Sequence, residues 1–234
     1  MTALEHRPTE VAEAVAGATV HRIRRMTAED LPAVVGWHRA EFPAGFYAQL
    51  GEAFLRRWMA AHLRRPASVS LVALDGEHNL VGYLLGTTDD GEYGAGPVGL
   101  SVGLAARGAA ALVARPALWA DFAGVRARSY AGRAARAVRA RRAGQHPTGE
   151  GELLYICVER QYRQRGGGAA LLDAYVGEAR RRGTERLHLV TEADNAVAQQ
   201  FYLRRGWSAL PEPRRSLDGR PLVRMELCLR EPST

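Results

Sequence analysis

Arg163-Gln164-Arg165-Gly166-Gly167-Gly168 joins two guanidinium groups to three consecutive glycines. Residues of these types at this spacing bind anions. Glycines let backbone N–H groups approach a phosphate without a Cβ in the way, and Arg163 and Arg165 add charge at the same place. The flanking residues say which elements must hold the segment. Leu153-Leu154-Tyr155-Ile156-Cys157-Val158 is an apolar run that reads as a buried strand. From Ala169 to Arg182, apolar residues stand at 171, 172, 175, 176 and 179, a helical spacing that Gly183 ends. The segment is therefore a turn from a strand end into a helix start. Free N–H groups and the positive end of the helix dipole converge there, and the natural guest is a phosphate.

Two common phosphate motifs do not match. Ala169, Ala170 and Leu171 follow Gly168, so the dinucleotide pattern G-x-G-x-x-G fails. The chain has no lysine, so the P-loop fails as well. What is present is Arg-x-x-Gly-x-Gly followed by Ala and Leu-Leu. A second block follows a second apolar strand, Arg186-Leu187-His188-Leu189-Val190. It runs Asp194-Asn195-Ala196-Val197-Ala198-Gln199-Gln200-Phe201-Tyr202-Leu203-Arg204-Arg205-Gly206-Trp207. Asp194 or Asn195 suits a helix N-cap and Gly206 suits the residue after the helix. Residues 195, 198 and 202 share one helical face. Taken singly, a Gly triplet can be only a tight connection, Asn195 only a cap, and Phe201-Tyr202 only core packing. Their order and spacing together argue for more.

With these two blocks the chain resembles the GNAT superfamily of acyl-CoA-dependent N-acyltransferases. That family carries a pyrophosphate loop Q/R-x-x-G-x-G/A and, one strand later, N-x-x-A-x-x-x-Y-x-x-x-G-F/W. The resemblance is specific over about residues 152–207. It implies acyl transfer, most often acetyl, from acetyl-CoA or another acyl-CoA to an amine, with no metal. It also implies that the fourth and fifth strands splay and that the pantetheine arm lies between them. Backbone groups of Ile156, Cys157 and Val158 would then bind the arm and polarise the thioester carbonyl. The N–H groups of Arg163, Gln164, Arg165, Gly166, Gly167, Gly168 and Ala169 would hold the pyrophosphate. Asn195 would hydrogen-bond the pantetheine, and Tyr202 would protonate the departing sulfur. Glu152, which opens the fourth strand, is the expected general base, with Tyr155 and His188 as alternatives. Glu41 and Phe42, at the end of the first helix, would face the acceptor along with Tyr155 and His188.

The remaining elements fit that resemblance. Val20 to Met26 reads as a first strand. Thr27 caps a helix to about Arg39, with Asp30 three residues on, and Phe42-Pro43 breaks it. A second helix is expected from Tyr47 to Leu63. Ser68–Leu74 and Leu80–Thr87 form a hairpin around Asp75-Gly76. Trp207–Leu210 and Leu222–Leu229 supply two more strands, with a turn from Pro211 to Arg220. The expected class is α/β (α+β), the GNAT fold: a mixed, mostly antiparallel seven-stranded sheet with helices on both faces. A tail over residues 1–18 and a single domain over 19–234 are expected. The domain carries a basic helical insertion at about 89–150, between the third and fourth strands, with helices expected at Leu104–Arg115 and Pro116–Arg142.

Composition narrows the class. The chain has 234 residues, 47% of them hydrophobic, enough for one core. Its net charge is +7, and all 32 basic residues are arginine. Isoleucine occurs only at 23 and 156, a bias typical of a GC-rich, bacterial genome, so the arginine excess is partly mutational. Cys157 and Cys228 suggest reduced thiols in a cytoplasmic protein. The chain shows no membrane-length apolar run and no targeting signal. Residues 97–147 carry a net charge of +8, which points to an anionic acceptor or to a contact in a homodimer. Few aromatics accompany those arginines, which disfavours nucleic acid. The favoured function is acetylation of a small-molecule primary amine by direct attack in a ternary complex. The alternatives are protein acetylation, or a non-catalytic module binding acyl-CoA or nucleic acid.

Overall fold

The computed structural model of the chain describes residues 20, 22–43, 45–89, 149–211, 214–216 and 219–230. The tail expected at 1–18 and both helices expected in the insertion lie outside the described residues, as does part of the turn at 211–220.

The described elements are β1 (Arg22–Arg25), α1 (Leu31–Glu41), α2 (Phe46–Gln49), α3 (Glu52–Leu63), β2 (Ser68–Leu74), β3 (Leu80–Thr87) and β4 (Glu150–Val158). Then follow α4 (Gly167–Arg181), β5 (Arg186–Glu192), α5 (Ala196–Leu203), β6 (Ser208–Ala209), β7 (Arg214–Arg215) and β8 (Pro221–Cys228). The sheet runs β1-β2-β3-β4-β5-β8-β6, with β7 pairing β8. Every pairing is antiparallel except β4 with β5. The expected seven strands are thus present, and the short β7 is an eighth that the expected turn conceals.

Local sequence chemistry accounts for the element ends. Before α1, the Thr27 N–H donates to Asp30 Oδ2 at 2.7 Å, one half of a capping box. Arg24 holds the same carboxylate from β1 at 2.7 Å. A single helix over Tyr47–Leu63 is not found. Gly51 takes φ +98°, a value a helix cannot accommodate, and it separates α2 from α3. Gly183 and Gly206 follow α4 and α5 with φ of +76° and +80°, as left-handed helix stops do.

The sheet has a core on each face. On one, α4 and α5 bury Leu171, Leu172, Tyr175 and Tyr202 against Leu187, Leu189 and Met225. On the other, α1 and α3 bury Val34, Val35, Leu55, Trp58 and Met59 against Val72, Tyr83 and Cys157. Strand alternation, interrupted by a bulge at Leu154 in β4, divides the two sets: Leu153 before the bulge and Val158 after it face α4, while Cys157 faces α1 and α3.

Candidate active site

β4 and β5 start as a parallel pair and then separate. Their register covers only Glu150↔Arg186, Gly151↔Leu187 and Glu152↔His188. Beyond Glu152, β4 continues beside β3 to Val158, whereas β5 continues beside β8 to Glu192. A gap therefore opens between them toward the C-terminal end of β4.

The β3–β4 ladder tells which backbone groups face that gap. The Glu159 N–H donates to the Val81 carbonyl at 2.9 Å. Alternation in an antiparallel pair then assigns Cys157, opposite Tyr83, to a hydrogen-bonded rung. Ile156 and Val158 occupy the rungs between, so their N–H and C=O groups turn toward the gap. Cys157 gives its backbone to Tyr83, and its side chain is buried beneath α1 and α3. Burial pushes its thiol up to about 11, so it is an inert neutral group at physiological pH.

At the end of β4 a short turn, Arg160–Tyr162, leads into the glycine segment. Tyr162 Oη donates to Asp75 Oδ2 at 2.8 Å, tying this turn to the β2–β3 hairpin. Gln164 and Gly166 both adopt left-handed backbone, with φ of +62° and +86°. Gly166 is the N-cap of α4 and supplies no side-chain cap, so the first N–H groups of the helix stay available. A Cβ on Gly167 would stand 2.8 Å from Val20 Cγ2, so this position needs glycine for packing. At Gly168 a Cβ would meet only Phe201 of α5, at 3.6 Å and beyond, and Val158. The loop, α4 and α5 thus converge at one end of the gap.

Arg163 does something other than bare charge display. Its Nε donates to the Val158 carbonyl at 2.8 Å, and its Nη2 donates to Glu41 Oε2 at 2.6 Å. Two residues expected at separate subsites, Glu41 and Arg163, are therefore an ion pair joining the end of α1 to the loop. Both are partly exposed, so the pair contributes little stability, about 0–1 kcal/mol.

On α5, Asn195 Oδ1 accepts the Ala198 N–H at 3.0 Å, so Asn195 is the N-cap and its oxygen is engaged. Tyr202 lies in the α4-side core with Val158, packed against Phe201 and Trp207. Its hydroxyl has no hydrogen-bond partner among the described residues, and burial raises the phenol's pKa. Tyr202 therefore keeps its proton at neutral pH, as a proton donor must.

Glu152 and His188, two of the candidate bases, stand on the last shared rung of β4 and β5. Glu152 Oε2 is 3.9 Å from His188 Nε2, and both side chains are largely buried. Tyr155 lies elsewhere. It belongs to an aromatic group with Phe42 and His38, at ring separations of 5.4 Å and 4.5 Å. Sequence reasoning missed His38, which is fully buried with Nδ1 2.9 Å from Tyr83 Oη. Its helical spacing after Val34 and Val35 was the available signal. Among the described residues no group of three or more His, Cys, Asp or Glu side chains is arranged to hold a metal ion. No described helix is long and apolar enough to cross a membrane.

Comparison with known proteins agrees with this geometry. No curated protein matches the sequence. Solved structures do match the fold. The ribosomal-protein-S18-alanine N-acetyltransferase of Escherichia coli is 17% identical, with 90% of this chain and 95% of that one covered at a TM-score of 0.50. The ribosomal-protein-alanine N-acetyltransferase of Brucella melitensis is 19% identical, with 88% and 99% covered at 0.54. The PaiA N-acetyltransferase of Thermoplasma acidophilum, solved in complex with coenzyme A, is 14% identical, with 88% and 98% covered at 0.52. The model of the Acetyltransferase (GNAT) family matches residues 31–207. That span takes in the uncapped glycine turn, the strand gap and the Asn195–Tyr202 helix together, and the chain belongs to the GNAT family of acetyltransferases.

Proposed function

We propose that this protein transfers the acetyl group of acetyl-CoA directly to the primary amine of a small molecule. The observation that carries this reading is the gap between β4 and β5, with the uncapped N-terminus of α4 at its end and a protonated Tyr202 among the residues packed there. The N–H groups from Gln164 to Ala169 hold the pyrophosphate, and the gap-facing backbone of Ile156 and Val158 binds the pantetheine arm. A backbone donor aimed at the developing oxyanion is worth roughly 100- to 1,000-fold in rate. Glu152 takes the proton from the acceptor nitrogen, and Tyr202 gives one to the sulfur. Asn195 keeps its amide nitrogen for the cofactor while its oxygen caps α5.

The acceptor side is built from Phe42, Tyr155 and the Glu41–Arg163 pair. Half-buried rings beside a carboxylate suit a compact amine better than an extended peptide. A protein acceptor is the second reading, and the activities of two structural relatives, both ribosomal-protein-alanine N-acetyltransferases, favour it. Thiol release from acetyl-CoA, measured against a library of small amines and N-terminal peptides, separates the two.

Gly168→Glu tests the cofactor site. A Cβ fits at Gly168, and a carboxylate in the first turn of a helix favours folding. The variant should fold with wild-type stability and show no thermal shift with acetyl-CoA, because its charge competes with the pyrophosphate. A full thermal shift in the variant refutes the assigned site.

The segment between β3 and β4 leaves and re-enters beside the Thr87↔Glu152 rung, at the opposite end of β4 from the glycine loop. Replacing residues 97–147 by a short Gly/Ser linker should leave the acetyl-CoA shift intact and raise the acceptor KM. Loss of the shift in a folded variant would mean that the segment serves the cofactor instead.

A further inference from the structure

The Glu152–His188 rung does not end at β5. His188 is also the cross-strand partner of Glu226 on β8, and Glu226 in turn faces Ser208 on β6. Residues opposite one another on neighbouring strands share a sheet face. Leu187, Leu189 and Met225 lie on the α4 side, so Glu152, His188 and Glu226 all lie on the other. The result is one row, carboxylate–imidazole–carboxylate, across three adjacent strands. It crosses the sheet at the last rung before β4 and β5 part.

Several features distinguish this row from a solvated sheet surface. His188 is only 6% exposed, so its ring is held in place. Glu152 is paired with it at 3.9 Å, too long for a direct hydrogen bond but close for charges. The Glu226 carboxylate has no ion-pair or hydrogen-bond partner among the described residues. Other charged residues of β4, β5 and β8 share this face. Glu150 and Arg186, two rungs before, bind each other at 3.1 Å. Cys228 lies beyond Arg186 on that rung, and Arg224 of β8 lies opposite Val190, two rungs after His188. The two carboxylates on the row itself flank the imidazole from both neighbouring strands.

We infer that Glu152, His188 and Glu226 act as one proton-accepting unit for the acceptor amine. The inference rests on the acetyl-transfer reading and extends it to His188 and Glu226. As the C–N bond forms and the C–S bond breaks, one proton leaves the acceptor nitrogen for Glu152 and passes to His188. One proton reaches the thiolate from Tyr202, and solvent restores the phenol as His188 releases its own proton. Glu226 is a positioning residue: its charge stabilises the imidazolium and holds the ring toward Glu152.

The row makes a prediction that does not depend on turnover. In an NMR titration of the full-length protein, with the His188 signal assigned by its loss in His188→Gln, Glu226→Gln should lower the His188 pKa by about one unit. Removing a negative neighbour disfavours the cation, so the shift is downward. The acidic limb of the kcat/KM profile for the amine should move to lower pH by the same amount, with the acetyl-CoA thermal shift unchanged. Glu226→Asp should restore most of both. His188→Gln should lower kcat roughly 100-fold and abolish the limb. A His188 titration that ignores Glu226→Gln overturns the row. A titration that moves while the acidic limb stays put overturns its catalytic role, as does a fully active His188→Gln variant. A wild-type protein that releases no thiol with any amine overturns the acetyl-transfer reading and the base role with it, while the NMR titration still decides whether the row exists.

Discussion

Tyr202→Phe is expected to lower turnover roughly 100-fold or more, the usual cost of removing a general acid, while acetyl-CoA binds with unchanged affinity. The two effects separate because the ring and the hydroxyl have different jobs. The ring packs against Phe201 and Trp207 in the core beside α4, and phenylalanine preserves that packing. The hydroxyl has no hydrogen-bond partner among the described residues, so its removal strands no buried group. Burial raises the phenol's pKa, so the proton is present at every pH where the enzyme would work. The measurement is the single-turnover rate of acetyl transfer beside an acetyl-CoA binding isotherm. An unchanged rate, under conditions where chemistry limits turnover, would leave Tyr202 as a core ring and return the proton on sulfur to solvent.

The second large effect is acid lability. His38 and His62 lie in the core beneath α1 and α3, at 0% and 1% exposure. Burial lowers the His38 pKa to about 4. Burial, with the Arg65 charge adding to it, lowers His62 to about 3 against the opposing hydrogen bond to the Gly86 backbone. The unfolded chain binds these protons near pH 6.5, and the folded chain resists them until far lower pH. Stability is therefore complete above pH 6.5 and falls as pH drops toward the folded values. Between pH 6.5 and pH 5 each histidine withdraws about 2 kcal/mol, from 1.36 kcal/mol per unit. Few carboxylates titrate in that window, so the loss belongs to the histidines. Urea unfolding should show the midpoint falling steeply from pH 7 to pH 5. His38→Gln should flatten part of the slope, since glutamine can still meet the Tyr83 hydroxyl. A midpoint constant across that range would mean that neither imidazole is as secluded as its packing indicates.

Both predictions depend on information of different origin. Tyr202 could be picked out from its spacing to Asn195 and Gly206, because a helix repeats on a local, sequence-readable period. His38 and His62 fall on the same apolar faces as Val34, Leu55, Trp58 and Met59, and the pattern shows that they point inward. It does not show that burial is complete, which requires the facing sheet.

The same division runs through the site. The strand–glycine–helix turn was legible residue by residue. Its ingredients, left-handed backbone at Gly166 and an uncapped helix start, are set within a few residues of one another. The break at Gly51 was not legible, because glycine inside an apolar helical pattern is tolerated as often as it interrupts. The short β7 lay hidden in a segment rich in Pro and Arg.

What the chain determined by itself was therefore the family, the strand and helix order, and the strand–glycine–helix turn, all of which rest on short-range spacing. Only the tertiary structure decided which of the candidate residues meet. Arg163 reaches back 122 positions to Glu41, and it bonds Val158 in the same reach. Glu152 meets His188 rather than Tyr155, and Glu226 joins them from the last strand. Such encounters depend on strand register, and a one-residue slip would send every side chain of a strand to the opposite face. Register is settled by packing both faces of the sheet at once, by residues far apart in the chain, and no local pattern carries that information.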